Sequence, residues 1–302
     1  MIRLLFQNVT GDAFMTIDIR PMREADVNEC GRICYEAFYK IATSHGFHPD
    51  FPNVEYAVQL QSMLCANPYA FSVVAESNGR VIGSNHLWEA DEIRAVGPIT
   101  VDTASQAKGA GRMLMESVIA RGGGGRGIRL VQDAFNATSM ALYASLGFDA
   151  KEPLVLMEGP ISGDVTTKVE VRLCSEEDYP RCADLCRSVY GFDRTNEMRN
   201  MRPWLPSFVG LRGGKLVAYA SAPHVWVMNH AVAETDEDMT SLLSGVGRFS
   251  RDQPLSFLLP IRQSSLFRWC LKHGMRVVKP LTLMSMGDYI EPRGSWMPSV
   301  GY

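Results

Sequence analysis

The residues best suited to chemistry gather between Val101 and Met115, in VDTASQAKGAGRMLM, which passes from strand-like to glycine-rich to helical. Leu114, Met115, Val118 and Ile119 keep helical spacing on one face, so a helix is expected over Gly109–Arg121. Gln106-x-x-Gly109-x-Gly111 falls where that helix begins. There the first backbone N–H groups lack intrahelical partners, and the helix dipole favours negative charge. Glycines remove the Cβ atoms that would hold a bulky anion away, and Arg112 adds a full positive charge. The chemistry this suits is the cradling of a pyrophosphate. The same residues also describe a tight strand–helix turn. Just upstream, AVGPITVD (Ala95–Asp102) reads as a strand with a proline inside it. Proline has no N–H to give a ladder, so pairing is expected to break near Pro98.

A second constellation follows. IRLVQDAF (Ile128–Phe135) reads as a strand, and NATSMALYASLGF (Asn136–Phe148) as a helix capped by Asn136 and closed by Gly147. Asn136, Met140 and Tyr143 share one face, with Leu142 and Leu146 toward the core side. Taken on its own, Tyr143 reads best as an amphipathic core tyrosine with its hydroxyl at the surface. Between the two constellations, RGGGGRG (Arg121–Gly127) contains G-x-G-x-x-G. It follows a helix and precedes a strand, the reverse of a dinucleotide fingerprint, and is read as a loop. No G-x-x-x-x-G-K-[ST] is present, which excludes a P-loop enzyme.

The elements that must position these groups belong to an ordinary globular chain. It has 302 residues, 46% hydrophobic and 21% charged, and a net charge of −3. No basic surplus points to nucleic acid, and no apolar run approaches the ~18 residues of a membrane span. MIRLLFQNVTGDAF is too short in its apolar run for a signal peptide. Residues 1–14 are expected to be a loosely attached leader and the protein to be cytoplasmic. The seven cysteines form no C-x-x-C pair, and the six histidines form no zinc motif, so no metal is expected. Cys30 and Cys34, like Cys182 and Cys186, are spaced to share a helix face and are read as buried and reduced.

The chain also repeats itself. IRPMREADVNECGRICYEAF from Ile19 matches VRLCSEEDYPRCADLCRSVY from Val171, pairing Arg20 with Arg172, Asp26 with Asp178 and the two cysteines of each segment. FSVVAESNGRVIGSNHL from Phe71 resembles FVGLRGGKLVAYASA from Phe208, each a hairpin around Asn-Gly or Gly-Gly. SLGFDAKEPLVLM from Ser145 resembles KHGMRVVKPLTLM from Lys272. The expected organisation is two copies of one α/β domain, 15–160 and 168–302, joined by a linker over 161–167.

The two motifs, in this order, resemble the GNAT superfamily of acyl-CoA-dependent N-acyltransferases over about Ile17–Met157, and the whole resembles a tandem-GNAT protein. That resemblance implies two α/β domains, each a mostly antiparallel mixed sheet with a splayed parallel strand pair flanked by helices. It implies acetyl-CoA as cofactor, with Val101 and Thr103 at the pantetheine end and Gln106, Lys108, Gly109, Ala110, Gly111 and Arg112 on the phosphates. Asn136 would contact the cofactor arm, and Tyr143 would sit near the thioester sulfur as the acid. Many relatives carry a Glu on the broken strand, and AVGPIT has none. Glu89, Asp91 and Glu92 just before it are the candidate bases, or a solvated acidic turn. His45, Phe47, His48 and Phe51, with Asp50, fall in the segment expected to meet the acceptor. They suit an amine with an apolar body, and ordinary loop packing equally. In the second copy NHAVAETDEDMTSLLSG places acids where the glycines should be, and Cys270 falls at the position of Tyr143, so one working site is expected. The implied activity is acetyl transfer to a primary amine, a small or amino-acid-like molecule. The alternatives are a protein lysine or N-terminal acceptor, or a non-catalytic acyl-CoA sensor or scaffold. A homodimer is compatible with the pattern.

Overall fold

The computed structural model describes residues 3–4, 16–104, 109–162, 167–201, 203–250 and 253–301. The chain divides into two compact units, Met1–Glu89 with Arg94–Ile128, and Ala90–Ile93 with Arg129–Tyr302. The fold is mixed α/β, mostly antiparallel with a parallel strand pair.

The first unit begins with β1 (Arg3–Leu4) and β2 (Ile17–Pro21), followed by α1 (Val27–Ser44), α2 (Val54–Ala66), β3 (Ala70–Ser77) and β4 (Arg80–Trp88). Then come β5 (Ile93–Val96), β6 (Thr100–Val101) and α3 (Ala110–Gly122). β1 to β4 pair antiparallel in chain order. The β3–β4 turn uses Asn78 and Gly79 at φ 52° and 75°, the doubly left-handed geometry that matches strand twist. The corner from β2 into α1 is fixed electrostatically. Arg20 Nη1 lies 2.6 Å from Asp26 Oδ2, and Asp26 also accepts from the Arg23 amide at 2.8 Å. α1 buries Val27, Cys30, Ile33 and Cys34, and α3 buries Met113, Leu114, Met115 and Val118. Ile119 is half-buried.

β7 (Gly127–Asp133), most of which lies in the second unit, α4 (Ala137–Ser145) and β8 (Asp149–Gly159) complete the first copy of the repeat. The second copy then reproduces the order of the first. It runs β9 (Glu170–Leu173), α5 (Tyr179–Tyr190), α6 (Thr195–Met201), β10 (Ser207–Arg212), β11 (Lys215–Ser221) and β12 (His230–Ala233). It continues with α7 (Asp236–Phe249), β13 (Leu255–Pro260), α8 (Ser264–Lys272), β14 (Arg276–Gly287) and a last strand, β15 (Ser295–Met297). The β2 corner recurs here: Arg172 Nη1 lies 2.6 Å from Asp178 Oδ2.

The last strands of the two copies are exchanged. β8 ends the first copy, yet it lies between β13 and β14 of the second; β14 in turn lies between β7 and β8. Val155 therefore faces Leu259 on one side and Pro280 on the other. Met157, Phe257, Leu255, Leu242 and Val246 close a single core around the exchange. The boundary between compact units accordingly falls after Ile128, upstream of the joint that composition marks at 161–167. A separate sheet runs β15–β12–β11–β10–β9.

Candidate active site

The broken strand has a physical cause. β4 pairs with β5 through Leu87↔Val96 and Trp88↔Ala95, then with β6 through Ser84↔Thr100 and Gly83↔Val101. The second strand carries one residue more than its partner between these pairs, which is a bulge over Gly97-Pro98-Ile99. Gly97 donates its amide to the His86 carbonyl at 2.9 Å, and a Cβ there would come within 2.9 Å of His86 Cβ. Only glycine permits this approach, and Pro98 then ends the ladder.

Beyond the bulge, Asp102 Oδ1 accepts the Ala104 amide at 2.9 Å and tightens the turn. Gly109 stands at the N-cap of α3 with φ 98°, a left-handed conformation costly for a residue with a Cβ. It offers no side chain to the first amides of the helix. Ala110 is buried, Gly111 is half-buried, and Arg112 is exposed with Nη1 3.8 Å from Glu116. Val101 is half-buried and Thr103 exposed. Gln106 and Lys108 lie outside the described residues. What the described part can do is present the start of α3, where the N-cap glycine has no side chain to cap the helix, to an anion.

Of the acidic segment, Glu89 belongs to the first unit and is gripped by Arg121, whose Nε and Nη2 each lie 3.0 Å from its carboxylate oxygens. Its carbonyl accepts from Arg94. Glu92 is exposed. Asp91, in the second unit, accepts the Glu197 amide at 3.3 Å, and burial pushes its carboxyl up to about 6 against the pull of Arg194. Arg194 pairs with Glu197 and donates to Ser299 Oγ at 3.0 Å.

The segment after α1 is half-open. His45 ends α1 with Nδ1 2.9 Å from the Ile41 carbonyl, and both His45 and His48 are exposed. Phe51 packs edge-on against Phe38 at 5.7 Å, while Phe47 is half-buried. Sequence reasoning missed a buried group next to the bulge. His86 Nδ1 lies 2.8 Å from Ser72 Oγ and Nε2 3.0 Å from Gln61 Oε1. Burial pushes this imidazole down to about 3, so it is neutral and fixed as a scaffold for the bulge. No sequence signal gave this pairing: the Asn78-Gly79 turn alone would set Ser72 opposite Asn85, and an extra residue at Ile82 shifts the register to bring His86 there.

In the second unit Asn136 caps α4 as expected, its Oδ1 accepting the Ser139 amide at 3.1 Å. The faces of α4 differ from expectation. Tyr143 is the buried residue of this helix, and Leu142 and Leu146 are half-buried. The reason is Phe148, which folds back against the Tyr143 ring at 6.3 Å and draws that face inward. Burial raises the Tyr143 phenol well above its ordinary value, and the charge of Asp133 adds to this. Tyr143 is therefore protonated throughout the physiological range.

With these geometries in place, residues 35–148 match the family model for Acetyltransferase (GNAT) family. This segment is a GNAT domain. No curated protein matches the chain. Among solved structures, a Pyrococcus horikoshii protein proposed to be an acetyltransferase is 16% identical, covering 94% of each chain at a TM-score of 0.69. A GCN5-related N-acetyltransferase from Sphaerobacter thermophilus is 14% identical, covering 91% of this chain and 97% of its own at 0.61. A tandem GNAT protein from the clavulanic acid biosynthesis pathway is 12% identical, covering 89% and 98% at 0.54. These likenesses extend over both copies and establish a tandem-GNAT fold. No helix among the described residues is long and apolar enough to cross a membrane.

Proposed function

We propose that the chain is an N-acetyltransferase that moves the acetyl group of acetyl-CoA to a primary amine, a small or amino-acid-like molecule. The observation that carries this reading is the start of α3, a left-handed glycine in place of a capping side chain, within the segment that matches the GNAT family. The α3 amides of Ala110, Gly111 and Arg112, with Gln106 and Lys108, would hold the pyrophosphate. Val101 and Thr103 would follow the pantetheine. Asn136 has committed its Oδ1 to the cap, so its Nδ2 is the donor it would turn to the cofactor arm. We take 15–160 and 168–302 as the two copies and the first as the one that carries the chemistry.

In the reaction the neutral amine nitrogen attacks the thioester carbon, the C–S bond breaks, and sulfur leaves with the electron pair. The amine loses a proton to a base, and the thiolate gains one from Tyr143. A buried phenol is a reluctant acid, yet the same desolvation raises the proton affinity of a thiolate beside it. Transfer between them is thereby matched, and such acid help is typically worth ~10²–10⁴-fold. Glu89 and Glu92 are the proposed bases by position. Asp91, pushed up to about 6, has the proton affinity best suited to the task. His45, Phe47, His48 and Phe51 would meet the acceptor.

A second reading, an acyl-CoA-binding sensor without turnover, is favoured by the Arg121 grip on Glu89. A screen of amines, amino acids and lysine peptides for acetyl-CoA-dependent thiol release separates the two. Acceptor-dependent release establishes the enzyme; tight acetyl-CoA binding with no release by any amine establishes the sensor.

A further inference from the structure

A row of buried polar groups runs behind the bulge in the first unit, and its protons can be counted. His86 on β4 and Gln61 on α2 are both fully buried. The imidazole is held at both nitrogens, Nδ1 by Ser72 Oγ at 2.8 Å and Nε2 by the Gln61 amide at 3.0 Å. Ser72 Oγ also donates to the Leu64 carbonyl at 3.2 Å. That carbonyl, in the last turn of α2, lacks its usual intrahelical donor, because the residue four places on is Pro68, which has no N–H.

Burial keeps the imidazole neutral, so it has one N–H and one lone pair. Two arrangements are open. In the first, Ser72 gives its proton to His86 Nδ1, and the ring donates from Nε2 to Gln61 Oε1. The Leu64 carbonyl then loses its donor, and Gln61 Nε2 stays buried with no hydrogen-bond partner. In the second, Ser72 keeps donating to Leu64, accepts Nδ1–H, and leaves His86 Nε2 as an acceptor in need of a donor. A half-turn of the Gln61 amide supplies one, because its oxygen and nitrogen fill the same space. Only the Gln61 oxygen is then left over. Cys34, buried on α1, approaches that amide and can give it an S–H. Buried polar groups are nearly always paired, and the count selects the second arrangement.

We propose that Gln61 is a positioning residue for the cofactor's arm. With its NH₂ turned to His86, it completes a one-way chain through His86 and Ser72 back to the Leu64 carbonyl of its own helix, and fixes the ring as the Nδ1–H tautomer. This matters where β5 leaves β4. The His86 carbonyl accepts the Gly97 amide at 2.9 Å, and the two residues approach so closely that only glycine fits. A ring anchored to α2 pins Gly97, the first residue of the bulge, and with it the path of the strand toward β6. This rests on the reading that the bulged strand receives the pantetheine, and it gives α2 a part in cofactor binding.

The test reads the ring and the ligand separately, on the full chain. Nitrogen-15 NMR of histidine-labelled protein, with His86 assigned as the signal missing from His86→Gln, should show a protonated Nδ1 and a bare Nε2 in the wild type. Ser72→Ala removes the acceptor for Nδ1–H and should switch the ring to the Nε2–H tautomer. A wild-type ring already protonated at Nε2 overturns the proposal, as does a tautomer that Ser72→Ala leaves unchanged. Calorimetry then compares acetyl-CoA with 3′-phosphoadenosine 5′-diphosphate, which has the phosphates and lacks the arm. Gln61→Met fills a similar space without a donor. It should weaken acetyl-CoA about tenfold, the order of one hydrogen bond, and leave the nucleotide within about twofold. A merely structural glutamine lowers the melting temperature and weakens both ligands alike, or neither, and either result overturns the proposal. Gln61→Leu replaces Gln61→Met if the latter does not fold, and failure of both assigns the chain of bonds to folding and overturns it too. If the wild type binds neither ligand, the acetyltransferase reading itself fails, a result distinct from a wild type that binds both and a Gln61→Met that keeps both affinities.

Discussion

The helices α3 and α7 occupy corresponding places in the two copies and begin in opposite ways. α3 starts at a left-handed glycine after a bulged strand, and this N-cap has no side chain to offer its amides. α7 starts at Thr235, whose Oγ1 accepts the Asp238 amide at 3.2 Å. Asp236, Glu237 and Asp238 fill its first turn. Those acids are structurally employed: Asp238 binds Arg212 at 2.7 Å, Glu237 binds Lys168 at 2.7 Å, and Glu234 binds Lys215. They complement the dipole of α7, whereas the first turn of α3 carries no acidic residue. β12 pairs with β11 in unbroken register, and its other edge is taken by β15 through Val232↔Trp296. The lesson is that one fold can hold its shape with or without the bulge and the glycine. On the proposed function, the copy that keeps them is the one that would receive an anion and an extended arm.

The largest effect should come from separating the copies. Residues 168–302 alone lack β8, which fills the place between β13 and β14, and residues 1–162 alone lack β14. Neither fragment is expected to melt cooperatively, while the two together should reconstitute a cooperative transition. A sharp melt from 168–302 alone, followed by circular dichroism, would show that the exchange is dispensable. For the same reason an isolated second copy is no fair test of ligand binding.

The contrast in helix starts predicts one acetyl-CoA per full-length chain. Gly109→Glu adds a charge facing the phosphates and forces a Cβ onto φ 98°, itself about 1–2 kcal/mol. Affinity should fall at least ~30-fold by these combined effects, and no residual second site should appear. Calorimetry giving two sites per chain, or one unaffected by Gly109→Glu, would erase the distinction drawn between α3 and α7.

Much of this contrast was legible in the chain. Local signals were reliable where one short-range force decides: the Asn78-Gly79 turn, the Asn136 cap, the break at Pro98, the acids after Thr235. The paired Arg20/Asp26 and Arg172/Asp178 marked the repeat because each pair closes a corner within seven residues of chain. What stayed hidden depends on distant pairing. Nothing in KEPLVLM or KPLTLM says that β8 and β14 exchange places, since both are apolar strands content with either neighbour. The burial of Lys279 carried no signal for the same reason, and the buried link of His86 to Gln61 crosses from β4 to α2. Tyr143 was found as a candidate, but its burial was not, because Phe148 reaches it only through the turn at Gly147.

Tyr143 and Cys270 extend the comparison to chemistry. Cys270 on α8 is buried, and burial pushes its thiol up to about 12, so it stays protonated and is no nucleophile at neutral pH. Tyr143→Phe keeps the ring and its contact with Phe148 but removes the proton. Turnover should drop by roughly tenfold or more, with acetyl-CoA affinity and melting temperature little changed. Cys270→Ser should leave acetyl-CoA affinity as it is. Wild-type turnover in Tyr143→Phe would return Tyr143 to a packing role.

The smallest effect tests what the copies share. Arg20 holds the Asp26 carboxyl below the usual carboxylate range, and Arg172 does the same for Asp178, where Arg181 adds a second contact at 2.6 Å. A carboxylate whose proton affinity is depressed on folding contributes stability above its unfolded pKa of about 3.9, and that contribution is lost as pH falls through the folded value. Arg20→Met and Arg172→Met should each cost about 1–2 kcal/mol at pH 7, chiefly because a buried carboxylate loses its donor. On acidification from pH 5 to pH 2 both variants should lose less stability than the wild type, since less remains to be titrated away. The first corner should give way before the second, whose carboxylate keeps Arg181 and the Ser175 amide when Arg172 is gone. Urea melts across that pH range would reveal it. Equal acid sensitivity in wild type and both variants would mean that the corners are held by packing, and that the ion pairs repeated in the two copies do not carry the fold.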